Sequence, residues 1–70
     1  MEKQWGVVVH GFDMPTDIFT TRKEAEIYFN RVKKEVLKHF HKEDIIIEKD
    51  VIQSRDGEMY IDIMHLDDLL

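Results

Sequence analysis

Seventy residues make one domain, near the lower size at which a single hydrophobic core holds a fold unaided, and a 43% hydrophobic content marks a globular chain. The lack of cysteine excludes disulfides, thiolate zinc sites and cysteine nucleophiles, and fits a reducing, cytoplasmic setting. The net charge of −5 is uneven: residues 1–42 carry eight basic against six acidic residues, residues 43–70 two against nine, which argues against nucleic-acid or anionic-membrane binding by the C-terminal half.

The chain opens with KQWGVVVH, Lys3 to His10, a strand candidate rich in β-branched and aromatic residues and stopped by Gly11. Its apolar run, like every later one, is too short for a signal peptide or a membrane span, so a soluble cytoplasmic protein is expected. GFDMPTDIFT then reads as a connection, because Pro15 and the flanking Asp and Thr residues suit turns. Thr21 with Glu24 three residues on is a capping-box signature. From there Ala25, Tyr28, Phe29, Val32, Val36, His39 and Phe40 share one stripe at about 100° per residue. The pattern predicts a helix from Thr21 to His41, with Ile27 outside the stripe and Leu37 at its margin.

Two strand candidates follow, Asp44–Gln53 and Glu58–His65, joined by SRDG. In the first, Ile45, Ile46 and Ile47 stand side by side, so as a strand they point to alternate faces and cannot all enter one core. Two registers compete at the turn. Asp56-Gly57 alone suits a two-residue type I′ loop, whereas Ser54 first and Gly57 fourth suit a type I turn with a glycine bulge. The bulged turn pairs Ser54 with Glu58, Val51 with Ile61 and Ile47 with His65. It gathers Ile45, Ile47, Val51, Met59, Ile61 and Ile63 on one face, so burial selects it. Lys49 then sits on the inner face and calls for a second bulge or a snorkelling side chain.

The fold class expected is α+β: a single two-layer domain covering residues 1–70. Its order is β-α-β-β, with one long helix packed on a three-stranded antiparallel sheet in the order 1-3-2. The helix covers one face, against Trp5, Val7, Val9 and the inner isoleucines. The other face has no element to cover it. On the chosen register it carries Val8, Ile46, Ile52, Tyr60 and Met64, with Leu66 at its end, and between them Glu48, Asp50 and Asp62 beside Gly6 and His10. A contiguous apolar patch of this kind commonly binds a partner. The first strand is an edge without proline and with only Lys3 near its start, open to a further strand. The partner-binding residues expected are therefore Val8, Ile46, Glu48, Asp50, Ile52, Tyr60, Asp62 and Met64, and the leading partner is a second copy of the chain.

Other chemistry is thinly supplied. An opposed Asp50–Asp62 pair on an open sheet face lacks the cleft that carboxylate catalysis needs. His39 and His65 are placed to meet under the helix C-terminus near Glu43, but two ligands fall short of a metal site, and a cation there serves the helix dipole. Arg31, Lys34, Lys38 and Lys42 line the outer side of the helix, an alternative nucleic-acid footprint that Glu35 interrupts and that lacks a stacking aromatic. HGFD, His10 to Asp13, has neither nucleophile nor glycine-rich phosphate motif. LDDLL, Leu66 to Leu70, spaces its leucines for one amphipathic turn able to dock in a groove. No constellation supplies nucleophile, base and oxyanion donors, so a non-enzymatic interaction module is expected, with no cofactor, metal or small-molecule substrate. An acidic inhibitor or nucleic-acid mimic seated on a basic site of another protein is the alternative.

Overall fold

A computed structural model describes residues 4–69; Lys3 and Leu70, which the sequence reading placed at the start of a strand and the end of a docking turn, lie outside them. Trp5–His10 forms β1, Asp17–Phe19 β2, Arg22–His39 α1, Ile45–Ile47 β3, Val51–Ser54 β4 and Tyr60–His65 β5. Short 3-10 turns occupy Lys42–Asp44 and Leu66–Leu69. The strands make one five-stranded antiparallel sheet in the order β2-β1-β5-β4-β3, and α1 packs across one of its faces. The two-layer α+β architecture is as expected; the three-stranded sheet in the order 1-3-2 is corrected at two places.

The first is β2. Asp17-Ile18-Phe19 looks like part of a connection because three residues are too few to show a period of two, and Pro15 and Asp13 signal turns. It pairs beside β1, with Trp5 opposite Phe19 and Gly6 opposite Ile18. Pro15 has no N–H with which to extend the ladder. The Thr16 hydroxyl substitutes for it, accepting from the Val9 N–H at 2.9 Å and donating to the Val9 carbonyl at 3.3 Å. Because β2 carries the chain back to the Trp5 end of the sheet, α1 starts there and runs alongside β1 in the same direction. β1 is thus an interior strand, and the edge expected there does not exist. The edges are β2 and β3, three residues each.

The second is the segment Asp44–Gln53, which is a hairpin and not one strand. The chain reverses through Glu48, Lys49 and Asp50, with the Glu48 N–H donating to the Val51 carbonyl at 2.8 Å and Ile47 opposite Ile52. Three charged residues between two apolar runs are better solvated in a turn than pressed on a core, which removes the difficulty of Lys49: it is exposed at the tip.

This reversal resets the alternation of faces. Val51 now pairs with Asp62, Ile52 with Ile61 and Gln53 with Tyr60, one step from the expected Val51–Ile61 pairing. The connecting turn keeps a left-handed glycine, with Gly57 at φ +79° and its N–H donating to the Ser54 carbonyl at 3.0 Å. Glu58 is an additional loop residue, so the ladder resumes with the Ser54 N–H donating to the Met59 carbonyl. The Ser54 hydroxyl accepts from the Met59 N–H at 2.9 Å and donates to the Asp56 carboxylate, which satisfies this buried side chain. Asp56 also accepts from the Glu58 N–H, and these bonds, that from Ser54 first, hold its carboxyl below the usual range.

The core between the layers is Val7, Ile45, Ile52, Met59, Ile61 and Ile63 from the sheet side against Ala25, Phe29, Val32 and Val36 of α1. The helical stripe is buried at Ala25, Phe29, Val32 and Val36 and half-buried at Tyr28; His39, placed in it by the sequence pattern, is exposed, as are Ile27 and Leu37. Thr21 caps the helix, its hydroxyl accepting from the Glu24 N–H at 3.3 Å and donating to the Glu24 carboxylate at 3.1 Å. The helix stops at His39, short of the predicted His41, because Phe40 turns extended and joins Phe12 at the margin of the core. At the same end Gly11 adopts φ +74°, where a Cβ would lie 2.0 Å from the Glu58 carbonyl oxygen. No helix among the described residues is long and apolar enough to cross a membrane.

Candidate functional site

Cross-strand pairing arranges the helix-free face in level rows. One row runs His10, Tyr60, Gln53, Ile46 from β1 to β3, and the next runs Val8, Asp62, Val51. A third runs Ile18, Gly6, Met64 across β2, β1 and β5. Gly6 has no side chain to offer, and Leu66 fills the space over it, its Cδ2 3.4 Å from where a Cβ would stand. Every strand therefore adds at least one apolar side chain: Ile18, Val8, Tyr60 and Met64, Val51, and Ile46. Tyr60 and Ile18 are exposed, and the others are half-buried by their neighbours alone. The core of the domain lies on the opposite side of the sheet.

Of the expected partner-binding residues, Val8, Ile46, Tyr60, Asp62 and Met64 share this face. Ile52 does not: it is 0% exposed in the core, because the reversal at Glu48–Asp50 gives it the parity of Ile45 and Ile47. Glu48 and Asp50 are in that reversal, and the Asp50 carboxylate turns away from the face to Arg22 of α1. Val51, placed inside by the sequence reading, and Ile18, taken as loop, belong to the face. The charged run at Glu48–Asp50, which marks a turn and hence a change of parity, is the signal that locates Val51; Ile18 lies in a strand of three residues that has no such signal.

Asp62 is at the middle of the middle row on the central strand, between Val8 and Val51. Burial raises its carboxyl above the usual carboxylate range; the Tyr60 hydroxyl, donating at 3.3 Å, works against this, and the charge of Asp50 adds to it. The Tyr60 phenol is raised by the same loss of water and then by the Asp62 charge beside it. Asp50 does not oppose Asp62 across the ladder as the sequence suggested. Its carboxylate turns toward α1, where Arg22 Nη2 donates to both oxygens at 2.8 and 2.9 Å. Arg22 also bonds Glu26 at 2.9 Å and stands over the Trp5 ring, whose edge meets His65 at 4.8 Å. One guanidinium thus ties the start of α1 to the β3–β4 hairpin and to β1.

His39 and His65 do not meet. His65 is at the Trp5 end of the sheet, and His39 is at the other end of α1, beside Phe12 at 6.2 Å. The cause is again β2, which sets the direction of the helix. Among the described residues no group of three His, Asp or Glu side chains is placed to hold a metal ion. Arg31, Glu35 and His39 line an open groove of about 510 Å³ opposite Phe12 and Met14, and Arg31 also lines a second hollow with Ile27, Asn30 and Lys34. Lys38 pairs with Glu35 at 3.2 Å, and Lys42 stands past the helix end in the 3-10 turn.

Fold and surface together define a two-layer α+β domain whose sheet presents one face to the core and one to the outside. Compared with protein-family models, curated proteins and solved structures, the chain has no match in any of the three.

Proposed function

We propose that the protein is a non-enzymatic interaction module that self-associates through its helix-free sheet face. The observation that carries this is the apolar surface formed by Ile18, Val8, Met64, Tyr60, Val51 and Ile46, to which all five strands contribute and which lies on the side of the sheet away from α1, with Leu66 over Gly6. Single exposed apolar residues need no explanation, but a patch continuous across a sheet marks an interaction surface. The face is favoured over an edge, since β2 and β3 are as short as the strands that proteins use to blunt edge pairing.

Size supports a dimer of modest strength. Strands about 4.8 Å apart with residues about 3.4 Å apart, six in β1 and β5 but three or four in β2, β3 and β4, give a face of roughly 360 Å². Covering it on both protomers removes roughly 700 Å², in the range of weak, transient interfaces. Apolar area contributes about 25 cal/mol per Å², offset by the cost of ordering two bodies. Sedimentation equilibrium over a wide concentration range, at low and high salt, tests the proposal. A monomer–dimer equilibrium that persists in high salt is expected, with Ile46→Lys and Tyr60→Lys shifting it to monomer while circular dichroism stays that of the folded chain. A wild type that remains monomeric throughout, or variants of unchanged mass, would overturn it.

A further inference from the structure

The centre of the proposed interface is its one carboxylate. Asp62 is flanked by Val8 on β1 and Val51 on β4, with Tyr60 and Met64 two residues away along β5. An interface between identical copies is isologous, so the same patch meets itself across a two-fold axis. Matching Ile46 and Tyr60 above with Ile18 and Met64 below requires that axis to pass near the middle of the patch. There each Asp62 meets its counterpart. An axis displaced far enough to part the two carboxyls leaves apolar side chains at one margin uncovered.

We propose that the dimer is centred on the two Asp62 carboxyls, which share one proton: the O–H of one donates to an oxygen of the other. This rests on self-association through the helix-free face. The proton comes from solvent on association, and the pair carries a single negative charge in place of two. Two carboxylates held together away from water cannot both stay ionised. Each already accepts from the Tyr60 hydroxyl of its own protomer on one oxygen, and a carboxylate's remaining lone pairs leave room for the shared bond. The burial that lifts the Asp62 carboxyl in a single copy deepens when a second copy closes over it.

The other ionisable groups around Asp62 do not supply the missing positive charge. On β5 there is Tyr60, a neutral donor at this range of pH. From the β3–β4 hairpin, Asp50 is negative and committed to Arg22. On β1, His10 is diagonal to Asp62, beside Tyr60 in the next row. Among the described residues no Lys, Arg or His forms an ion pair with Asp62. On β4 the neighbours are Val51 and the uncharged Gln53.

The sign of the linkage follows. Between the pKa of the free Asp62 and that of the pair the dimer binds one more proton than two free copies, so association is strongest near the former and is lost as pH rises through the latter. Across that window uptake of one proton changes Kd by about tenfold per pH unit. His10, the histidine on the same sheet face, is the group able to imitate this and must be separated from it. The experiment is sedimentation equilibrium of the full chain at about pH 5, 6, 7 and 8, on wild type, Asp62→Asn and His10→Gln, with circular dichroism at each pH. The wild-type dimer should weaken steadily toward alkaline pH, and His10→Gln should follow it. Asp62→Asn should dimerise with a Kd independent of pH, because two carboxamides pair without a proton. A wild-type dimer insensitive to pH, or a dependence that survives in Asp62→Asn, would overturn the shared proton while leaving self-association in place. A monomer at every pH would overturn both.

Discussion

Replacing Ile52 and Ile46 in turn by alanine separates the two faces of the sheet with the same chemical change. Ile52 is 0% exposed, paired with Ile61 and Ile47 under α1, and its truncation leaves a cavity lined by side chains that cannot collapse into it. Isoleucine-to-alanine changes at such sites cost about 3 kcal/mol, the lost transfer energy plus the cavity. Ile46 is half-buried on the helix-free face, and at about 0.8 kcal/mol per fully buried methylene its truncation costs the monomer about 1 kcal/mol. A domain of this size has a total stability of roughly 3–10 kcal/mol, so the first loss is a large share and the second is not. Urea denaturation at neutral pH and low protein concentration, where the monomer prevails, is the assay. With a slope of about 1 kcal/mol/M, the midpoint should fall by about 3 M for Ile52→Ala and about 1 M for Ile46→Ala. Equal shifts would refute the placement of the two residues. A larger loss from Val51→Ala than from Ile52→Ala would restore the register in which Val51 faces the helix.

Gly11→Ala should cost about 3 kcal/mol, since at φ +74° its Cβ meets the Glu58 carbonyl oxygen at 2.0 Å, whereas Gly57→Ala, at φ +79° with open space around it, should cost about 1 kcal/mol. Equal thermal shifts of the two variants would contradict the close approach of Gly11 to Glu58. The aspartates on the two sides of the β4–β5 hairpin should respond to pH with opposite signs. The lowered carboxyl of Asp56 stabilises the fold above its unfolded pKa, and that contribution is lost as pH falls through its folded one, so Asp56→Asn should melt lower than wild type at neutral pH and converge with it in acid. Asp62 is raised, so its charge opposes folding once pH exceeds its unfolded pKa. Asp62→Asn should therefore melt higher than wild type at neutral pH, with the gap closing in acid. Melting curves of both variants between about pH 3 and pH 7, taken at low concentration, check the signs.

How much of this was legible in the sequence depended on how far along the chain each cause reaches. The helix was: its cap is a contact between Thr21 and Glu24, its buried stripe repeats with the helical turn, and Ile27 and Leu37 fall outside for the same reason. The left-handed glycine at Gly57 is also local and matches the reading, although the Ser54–Glu58 pairing expected with it does not. The presence of an uncovered face followed from three adjacent isoleucines and a single helix. Which residues occupy that face did not follow. It turned on whether Glu48–Asp50 continues a strand or reverses it, and on whether Glu58 counts in the ladder, and each choice exchanges the faces of every residue beyond it. The same holds for β2, three residues without a pattern of their own, which exist as a strand only because β1 offers a ladder beside them and which thereby set the direction of α1, the separation of His39 from His65 and the burial of the β1 edge. A hydrophobic period records only that a residue is apolar at a given phase. The phase itself is set by the chain reversals, and those are decided where strands from distant parts of the sequence meet.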